Sequence, residues 1–190
     1  MITDDHIVEG CLAGKRKAYS LLYRKYAPVM LGLCLRYGKN LQDAEDILQE
    51  GFIKVFRNIT GFRREGSFEG WIRKIMIRSA IDHYHKELRH AYHEALDDNT
   101  EVPDEYADDI SDTDFEVTPE QLIGMIQELP EGYRIVFSLY VMENYSHKEI
   151  AGELNISENT SKTQLLKARR MLRNRLNVLA GKQNLTTVSK

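Results

Sequence analysis

The chain has no run of apolar residues approaching the roughly 18 that a membrane-crossing helix needs. Its first ten residues, MITDDHIVEG, are acidic and polar where a secretory leader is basic and then apolar. Both features predict a chain that stays in the cytosol. Cysteine is scarce: Cys11 and Cys34 form no CxxC pair and fall at apolar helical positions. That pattern predicts two buried reduced thiols and argues against a disulfide, a metal site or a nucleophile. No alternating apolar pattern is long enough for a strand, so the fold class is all-α. Lys and Arg are missing from residues 91–120, which carry 12 Asp+Glu.

That gap organises the chain. Of its 190 residues, 1–90 hold 16 Lys+Arg against 11 Asp+Glu and 121–190 hold 10 against 6, so two mildly basic blocks are hidden in a net charge of -3. The middle, rich in Asp, Thr and Pro without helical periodicity, reads as a flexible acidic linker over 91–117. Its charge would either hold two domains apart by self-repulsion or dock on a basic surface. The predicted organisation is two small helical domains, 1–90 and 118–181, with 182–190 as a disordered tail. Thr118-Pro119-Glu120-Gln121 offers a capped helix start for the second domain.

The stretch Ser146 to Leu176 carries the clearest functional signal. Ser146 and Glu149 form a capping box; Ile150, Ala151 and Leu154 give the helix an apolar side; Asn155-Ile156-Ser157 then breaks the period. Ser157 is placed to N-cap a second helix and Ile156 to plug the corner. On that helix Ser161, Leu165, Ala168, Leu172 and Leu176 share one face, and Thr160, Thr163, Lys167, Arg170 and Asn174 lie opposite. This is a helix-turn-helix, whose second helix enters the DNA major groove by its N-terminal part. Asn159, Thr160, Thr163, Gln164 and Lys167 are candidates for base edges, and Arg169, Arg170 and Arg173 suit phosphates. A merely solvated charged face is the alternative reading.

In the first block Ala18, Leu22, Tyr26, Met30, Leu33, Cys34 and Tyr37 mark a long apolar stripe, with a bend expected at Pro28. A second helix from about Gln42 turns Leu48, Phe52, Val55, Phe56 and Ile59 inward and Asp46, Gln49, Glu50 and Arg57 outward with Ile53 among them. The third, from Phe68 or Trp71 to about Arg89, carries two stripes: Phe68, Ile72, Ile75, Met76 and Ser79, and on the far side Ile77, Ile81, Tyr84 and Leu88. Two neighbours are therefore expected to clamp it. Between the stripes run Lys74, Arg78 and His85 beside Trp71, a basic and aromatic strip suited to phosphates and unstacked bases. The preceding loop, Gly61 to Phe68, has the glycines, arginines and aromatics to wrap an unpaired base.

Taken in order, Asp43-Ala44-Glu45-Asp46-Ile47-Leu48-Gln49-Glu50-Gly51-Phe52, Phe62-Arg63, Ser67-Phe68, Trp71-Ile72, Leu129-Pro130 and Ser146-His147-Lys148-Glu149-Ile150-Ala151 resemble the sigma-70 family of transcription initiation factors, specifically its extracytoplasmic function (ECF) group. The resemblance implies a sigma2 domain, a linker and a sigma4 domain. It makes Asp46, Gln49, Glu50 and Ile53 a contact surface for core RNA polymerase. It makes Arg63, Arg64, Ser67, Phe68 and Trp71 a minus-10 capture element, continued by Lys74, Arg78 and Asp82. Asn159, Thr160, Thr163, Gln164, Lys167 and Arg170 would read the minus-35 element in duplex DNA. The implied partners are core RNA polymerase and promoter DNA, with an anti-sigma factor as a further candidate and no membrane insertion. Arg78 stands where family members usually have Asn, and Asn159 to Gln164 replaces the common Gly-Thr-Val-Lys-Ser-Arg. If Gln164 reaches a base, it favours adenine over guanine.

Two other classes fit less well. A stand-alone helix-turn-helix regulator would need a receiver or ligand domain with strands. An enzyme would rest on His83, His85, His90 and His93, which lack a settled ligand spacing, or on Gly10 to Lys15, which is one residue short of a phosphate loop. No catalytic residue, metal or cofactor is expected.

Overall fold

The computed structural model describes residues 3–94 and 117–187, with side chains over 3–89 and 117–179. Every regular element among them is helical. The first unit holds α1 (Asp4–Leu12), α2 (Arg16–Cys34), α3 (Leu41–Arg57) and α4 (Phe68–Glu94), with a short 3-10 turn at Ile59–Gly61. The second holds α5 (Pro119–Gln127), α6 (Glu131–Phe137), α7 (His147–Leu154) and α8 (Glu158–Thr187), with a π turn at Ser138–Met142. Residues 95–116, which contain most of the acidic linker, lie outside the described residues. The linker's first residues, through Glu94, continue α4, and α8 runs to Thr187 through most of the stretch assigned to a tail.

Local chemistry sets the boundaries. Thr3 accepts from the His6 N–H at 3.3 Å to start α1, and Asn40 accepts from the Asp43 N–H at 2.9 Å to start α3. Helix α2 continues through Pro28 as one element. Leu22, Met30, Leu33 and Cys34 point into a core shared with Ala44, Ile47, Phe52 and Val55 of α3 and Phe68, Ile72 and Met76 of α4. Gly51 lets α4 approach: a Cβ there would run into the Met76 thioether.

The second stripe of α4 has its own partner. Ile77, Ile81 and Tyr84 are buried, while Leu88 is exposed. α4 packs against α3 and α2 on one side and touches α6 and α7 on another. The two domains are thus docked on each other, and the second domain is the second jaw of the clamp. Docking also engages the turn that follows α2, which presents three carbonyls to the second domain. Leu35 O receives Gln127 Nε2 at 3.2 Å, Arg36 O receives Ser138 Oγ at 2.9 Å, and Tyr37 O receives Arg134 Nε at 2.9 Å. Arg134 is buried, and its Nη1 also donates to Gln127 O and Leu129 O, each at 2.9 Å.

Replacing Gly51 by Val should force Met76 aside and lower stability by about 1–3 kcal/mol. Urea unfolding of the full chain measures this; a midpoint equal to wild type would show that α3 and α4 have slack at that contact.

Candidate nucleic-acid interface

The helix-turn-helix forms as its sequence dictates. Ser146 Oγ accepts from the Glu149 N–H at 3.2 Å, and Glu149 Oε2 accepts from the Ser146 N–H at 2.8 Å. The Ser146 hydroxyl, which donates to the same Oε2 at 2.7 Å, and the Ser146 N–H together hold the Glu149 carboxyl below its ordinary range. Asn155 ends α7 at φ 55, in the left-handed region that Asn tolerates better than most residues. Ser157 then caps α8 by accepting from the Thr160 N–H at 2.9 Å.

Side chains of both helices meet on one ring of the π turn. The His147 ring lies on Tyr140, centroids 4.5 Å apart, and Arg169 sits over the same Tyr140 at 5.7 Å. His147 Nδ1 is 2.9 Å from Oγ of Ser161, which is fully buried on the core face of α8. Leu165, Ala168 and Leu172 are buried beside it. On the outer side Asn159, Thr160 and Thr163 are exposed, and Lys167 and Arg170 are half-buried. Gln164 differs from them. It is half-buried, its carboxamide lies against Gly132 of α6, and its Oε1 is covered without a hydrogen-bond partner.

In the first domain a pocket of 390 Å³ opens between the Gly61–Ser67 loop and the start of α4, with Arg63, Ser67, Trp71 and Lys74 in its lining. Its aromatic wall is built from Phe62, Phe68 and Trp71, with Phe68 stacked on Trp71 at 5.6 Å and 12°. Phe68 is buried and supports the wall from behind; Trp71 is half-buried at its rim. Arg64 points elsewhere: it adopts φ 58 and pairs with Asp5 at 3.6 Å and Glu9 at 3.5 Å on α1. Asp82 is tied to Lys54 at 2.8 Å, and Arg78 is bound by Glu153 of α7 at 2.6 Å.

On α3, Asp46 and Gln49 are exposed and Ile53 is 48% exposed, an unusual position for an isoleucine, while Glu50 reaches Lys86 at 3.8 Å. This face borders a groove of 440 Å³ lined by Tyr23, Ala27, Pro28, Leu31, Glu45, Leu48 and Gln49. Cys11 and Cys34 are buried free thiols, and burial pushes Cys34 up to about 12. His83 has a covered Nε2 without a partner and His85 lies 2.8 Å from the Glu153 carbonyl, while the side chains of His90 and His93 lie outside the described residues. No metal-binding cluster occurs among the described residues.

Sequence reasoning missed Arg73, Arg134, Glu143 and Glu153. Glu143 is the more deeply placed of the two carboxylates: its side chain is 4% exposed, and Arg73 donates to it twice, at 2.9 and 2.8 Å, with Arg36 at 4.0 Å. The one sequence signal for these contacts was the double stripe of α4.

The architecture and the two surfaces define a two-domain, all-helical nucleic-acid-binding protein. Residues 22–90 match the model for Sigma-70 region 2, and residues 120–172 match that for Sigma-70 region 4. The chain is 32% identical to the ECF RNA polymerase sigma factor SigW of Bacillus subtilis over 86% of this chain and 91% of that one. It is 30% identical to the RNA polymerase sigma-H factor of Pseudomonas aeruginosa (87% and 90% covered) and 29% identical to the ECF sigma-E factor of Haemophilus influenzae (94% and 97% covered). Its fold is like that of the sigma factor RpoE from Bartonella quintana, solved with the anti-sigma factor NepR, at TM-score 0.50 and 17% identity, covering 85% of this chain and 98% of that one. The chain belongs to the sigma-70 family, in its ECF group. It is a non-enzymatic initiation factor that directs RNA polymerase to promoters, which removes the stand-alone regulator reading. No described helix is long and apolar enough to cross a membrane.

Desolvation, together with the nearby Lys162 and Arg169 charges, holds the His147 ring below its ordinary value. An unfolded chain takes up that proton near its ordinary value, before the folded chain does, so stability is full above about 6.5 and falls as pH drops through it. Urea midpoints at pH 7.5 and 5.5 should therefore differ more for wild type than for His147→Asn; equal differences would refute the assignment.

Proposed function

We propose that three separate surfaces divide the work of initiation. The outer face of α3, with Asp46, Gln49, Glu50 and the exposed Ile53, engages core RNA polymerase; its mix of carboxylates around one apolar side chain suits a basic and apolar partner surface. The pocket beneath the Gly61–Ser67 loop takes an unstacked base of the minus-10 element. Arg63, Ser67, Trp71 and Lys74 line it, Phe68 backs it, and Arg64, Arg78 and Asp82 belong to the same surface once released from their ion pairs. The exposed side of α8, with Asn159, Thr160, Thr163, Lys167 and Arg170, enters the major groove of the minus-35 element. Gln164 joins it by swinging off Gly132, where its unpartnered Oε1 has no bond to lose.

The observation that carries this reading is the pocket: cations and an indole face one opening beside a glycine-flanked loop. Extracting a base costs a few kcal/mol, and stacking on an aromatic returns about 1–3 kcal/mol per base, so phosphate contacts and the hold on polymerase make up the remainder. The chemistry is binding only. No atom of the DNA is transferred, and the factor lends specificity to the enzyme that it escorts. Such a factor works in the cytoplasm, and an anti-sigma factor, present with the Bartonella quintana relative, is a natural antagonist for the same surfaces.

Run-off transcription with purified core polymerase on a set of genomic fragments tests the whole scheme. A promoter-specific product should depend on the factor, and Trp71→Ala should reduce open-complex formation about tenfold with helical content unchanged. Wild-type opening by that variant would remove the base-capture assignment. Thr163→Ala and Gln164→Ala should alter preference among minus-35 sequences while leaving opening on a pre-melted template intact. Unchanged preference in both would take α8 out of base reading.

A further inference from the structure

The wall of the base pocket is held from behind by the first helix of the chain. Phe68, which stacks on Trp71, meets the ring of Tyr26 edge-on, centroids 5.6 Å apart at 81°. Tyr26 Oη donates to Asp4 Oδ1 at 2.6 Å, and Lys25 Nζ donates to the same oxygen at 2.6 Å. Burial works against a charge there, yet these bonds hold the Asp4 carboxyl below its ordinary range, so it is an ionised acceptor at neutral pH. Helix α1 is itself firmly seated. Ile7, Val8 and Cys11 are buried, and Gly10 lies so close to α2 that a Cβ there would run into the Ala18 methyl. The other side of the pocket rests on the same helix: the Ile59–Gly61 turn that opens the loop packs on α1, and Arg64 pairs with Asp5 and Glu9. The two holds differ in strength. The Arg64 pairs, between exposed groups, are weak and exchange readily for a phosphate. A short bond from a hydroxyl to a carboxylate is among the stronger hydrogen bonds.

We propose that Asp4 is a positioning residue for base capture: by fixing the Tyr26 hydroxyl it fixes the ring that supports Phe68, and so the plane in which Trp71 meets an unstacked base. The role rests on base capture in this pocket. Asp4 is not part of the pocket lining, and its effect passes through three rings, each in contact with the next. The Tyr26–Phe68 contact is edge-to-face, a geometry whose attraction depends on the ring angle, and Phe68 lies within 12° of parallel to Trp71. Without its acceptor, Tyr26 keeps a hydroxyl that must find another partner, because leaving it unbonded at a partly buried site costs free energy. The ring then turns, Phe68 follows, and Trp71 loses a fixed support. Its indole would have to be ordered by the arriving base, at the expense of affinity. Phosphate contacts through Arg63 and Lys74 do not pass through these rings. Loss of Asp4 therefore separates base capture from phosphate binding.

The test uses the full chain and two fluorescein-labelled single strands of about 12 nucleotides, a size within the range for single-strand sites. One strand has a randomised base sequence and the other is abasic throughout, with equal backbone charge. Anisotropy gives the affinity for each, and emission from Trp71, the one tryptophan of the chain, reports the packing of the wall. Wild type should bind the base-bearing strand more tightly. Asp4→Ala and Tyr26→Phe, which remove opposite ends of one bond, should move the Trp71 emission. Both should weaken the base-bearing strand about fivefold, as expected when one side chain must be ordered on binding, and leave the abasic strand unchanged. The Asp4 side chain is 41% exposed, so Asp4→Ala should keep wild-type helical content. Asp4→Glu should restore both readouts, and Lys25→Gln, which removes only the ion pair, should match wild type. Unchanged affinity for the base-bearing strand in both variants would overturn the proposal, and so would an equal loss on both strands, the mark of general loosening. Equal binding of the two strands by wild type counts against base capture itself, whereas a wild-type preference that both variants keep counts against Asp4 alone.

Discussion

The two domains meet at the turn that follows helix α2. Leu35 to Gly38 donate back to carbonyls of the helix's last turn, and their own carbonyls at Leu35, Arg36 and Tyr37 face the second domain, where Gln127, Ser138 and Arg134 answer them. Arg134 is central because a buried guanidinium is costly unless its N–H groups are engaged. It finds three carbonyls, one from the first domain and two from its own, at the negative end of α2. Desolvation nevertheless pushes Arg134 below its ordinary range and raises the nearby Glu131 carboxyl. The boundary thus joins these hydrogen bonds to the buried apolar stripe of Ile77, Ile81 and Tyr84 on α4.

The same logic explains the distribution of charge on the described surfaces. Arg73 and Arg78 of the first domain meet Glu143 and Glu153 of the second, so the second basic block supplies carboxylates where the first presents cations. Arg64 and Lys54 are held in a similar way within the first domain, by Asp5, Glu9 and Asp82. Of the cations proposed for minus-10 DNA, Arg63 and Lys74 line the open pocket, whereas Arg64 and Arg78 are engaged by carboxylates. An exposed ion pair contributes little to stability, about 0–1 kcal/mol, so exchanging one for a phosphate has a low barrier.

Much of this was legible in the chain itself. The capping box at Ser146, the cap at Ser157 and the core face from Ser161 to Leu172 are local features, fixed by residues within a few positions of one another, and the structure forms each of them. The two stripes of α4 even announced a second jaw, without saying that the other domain supplies it. The contacts across the domain boundary that sequence reasoning missed join residues far apart in the chain, such as Arg73 with Glu143 and Ser138 with Arg36. Periodicity has no access to such pairs, since it reports only which side of a helix wants burial. Phe68 shows what periodicity leaves out: an aromatic expected at the minus-10 surface is itself buried, with its ring stacked on Trp71.

The ordering of Phe68 and Trp71 bears on how a small factor can open DNA at all. A flipped base needs a surface that is already flat and dry when it arrives, because ordering loose side chains at that moment would consume the stacking energy. Phe62, Phe68 and Trp71 contact one another in pairs and Tyr26 closes against Phe68 from the core side, so the wall is assembled before DNA binds. Tyr26 is in turn held by the Asp4 carboxylate at 2.6 Å, which ties the pocket to the first helix of the chain. Base capture as proposed for this pocket needs such a preassembled wall, because the side chains that receive the base are then ordered by packing within the protein and not by the DNA.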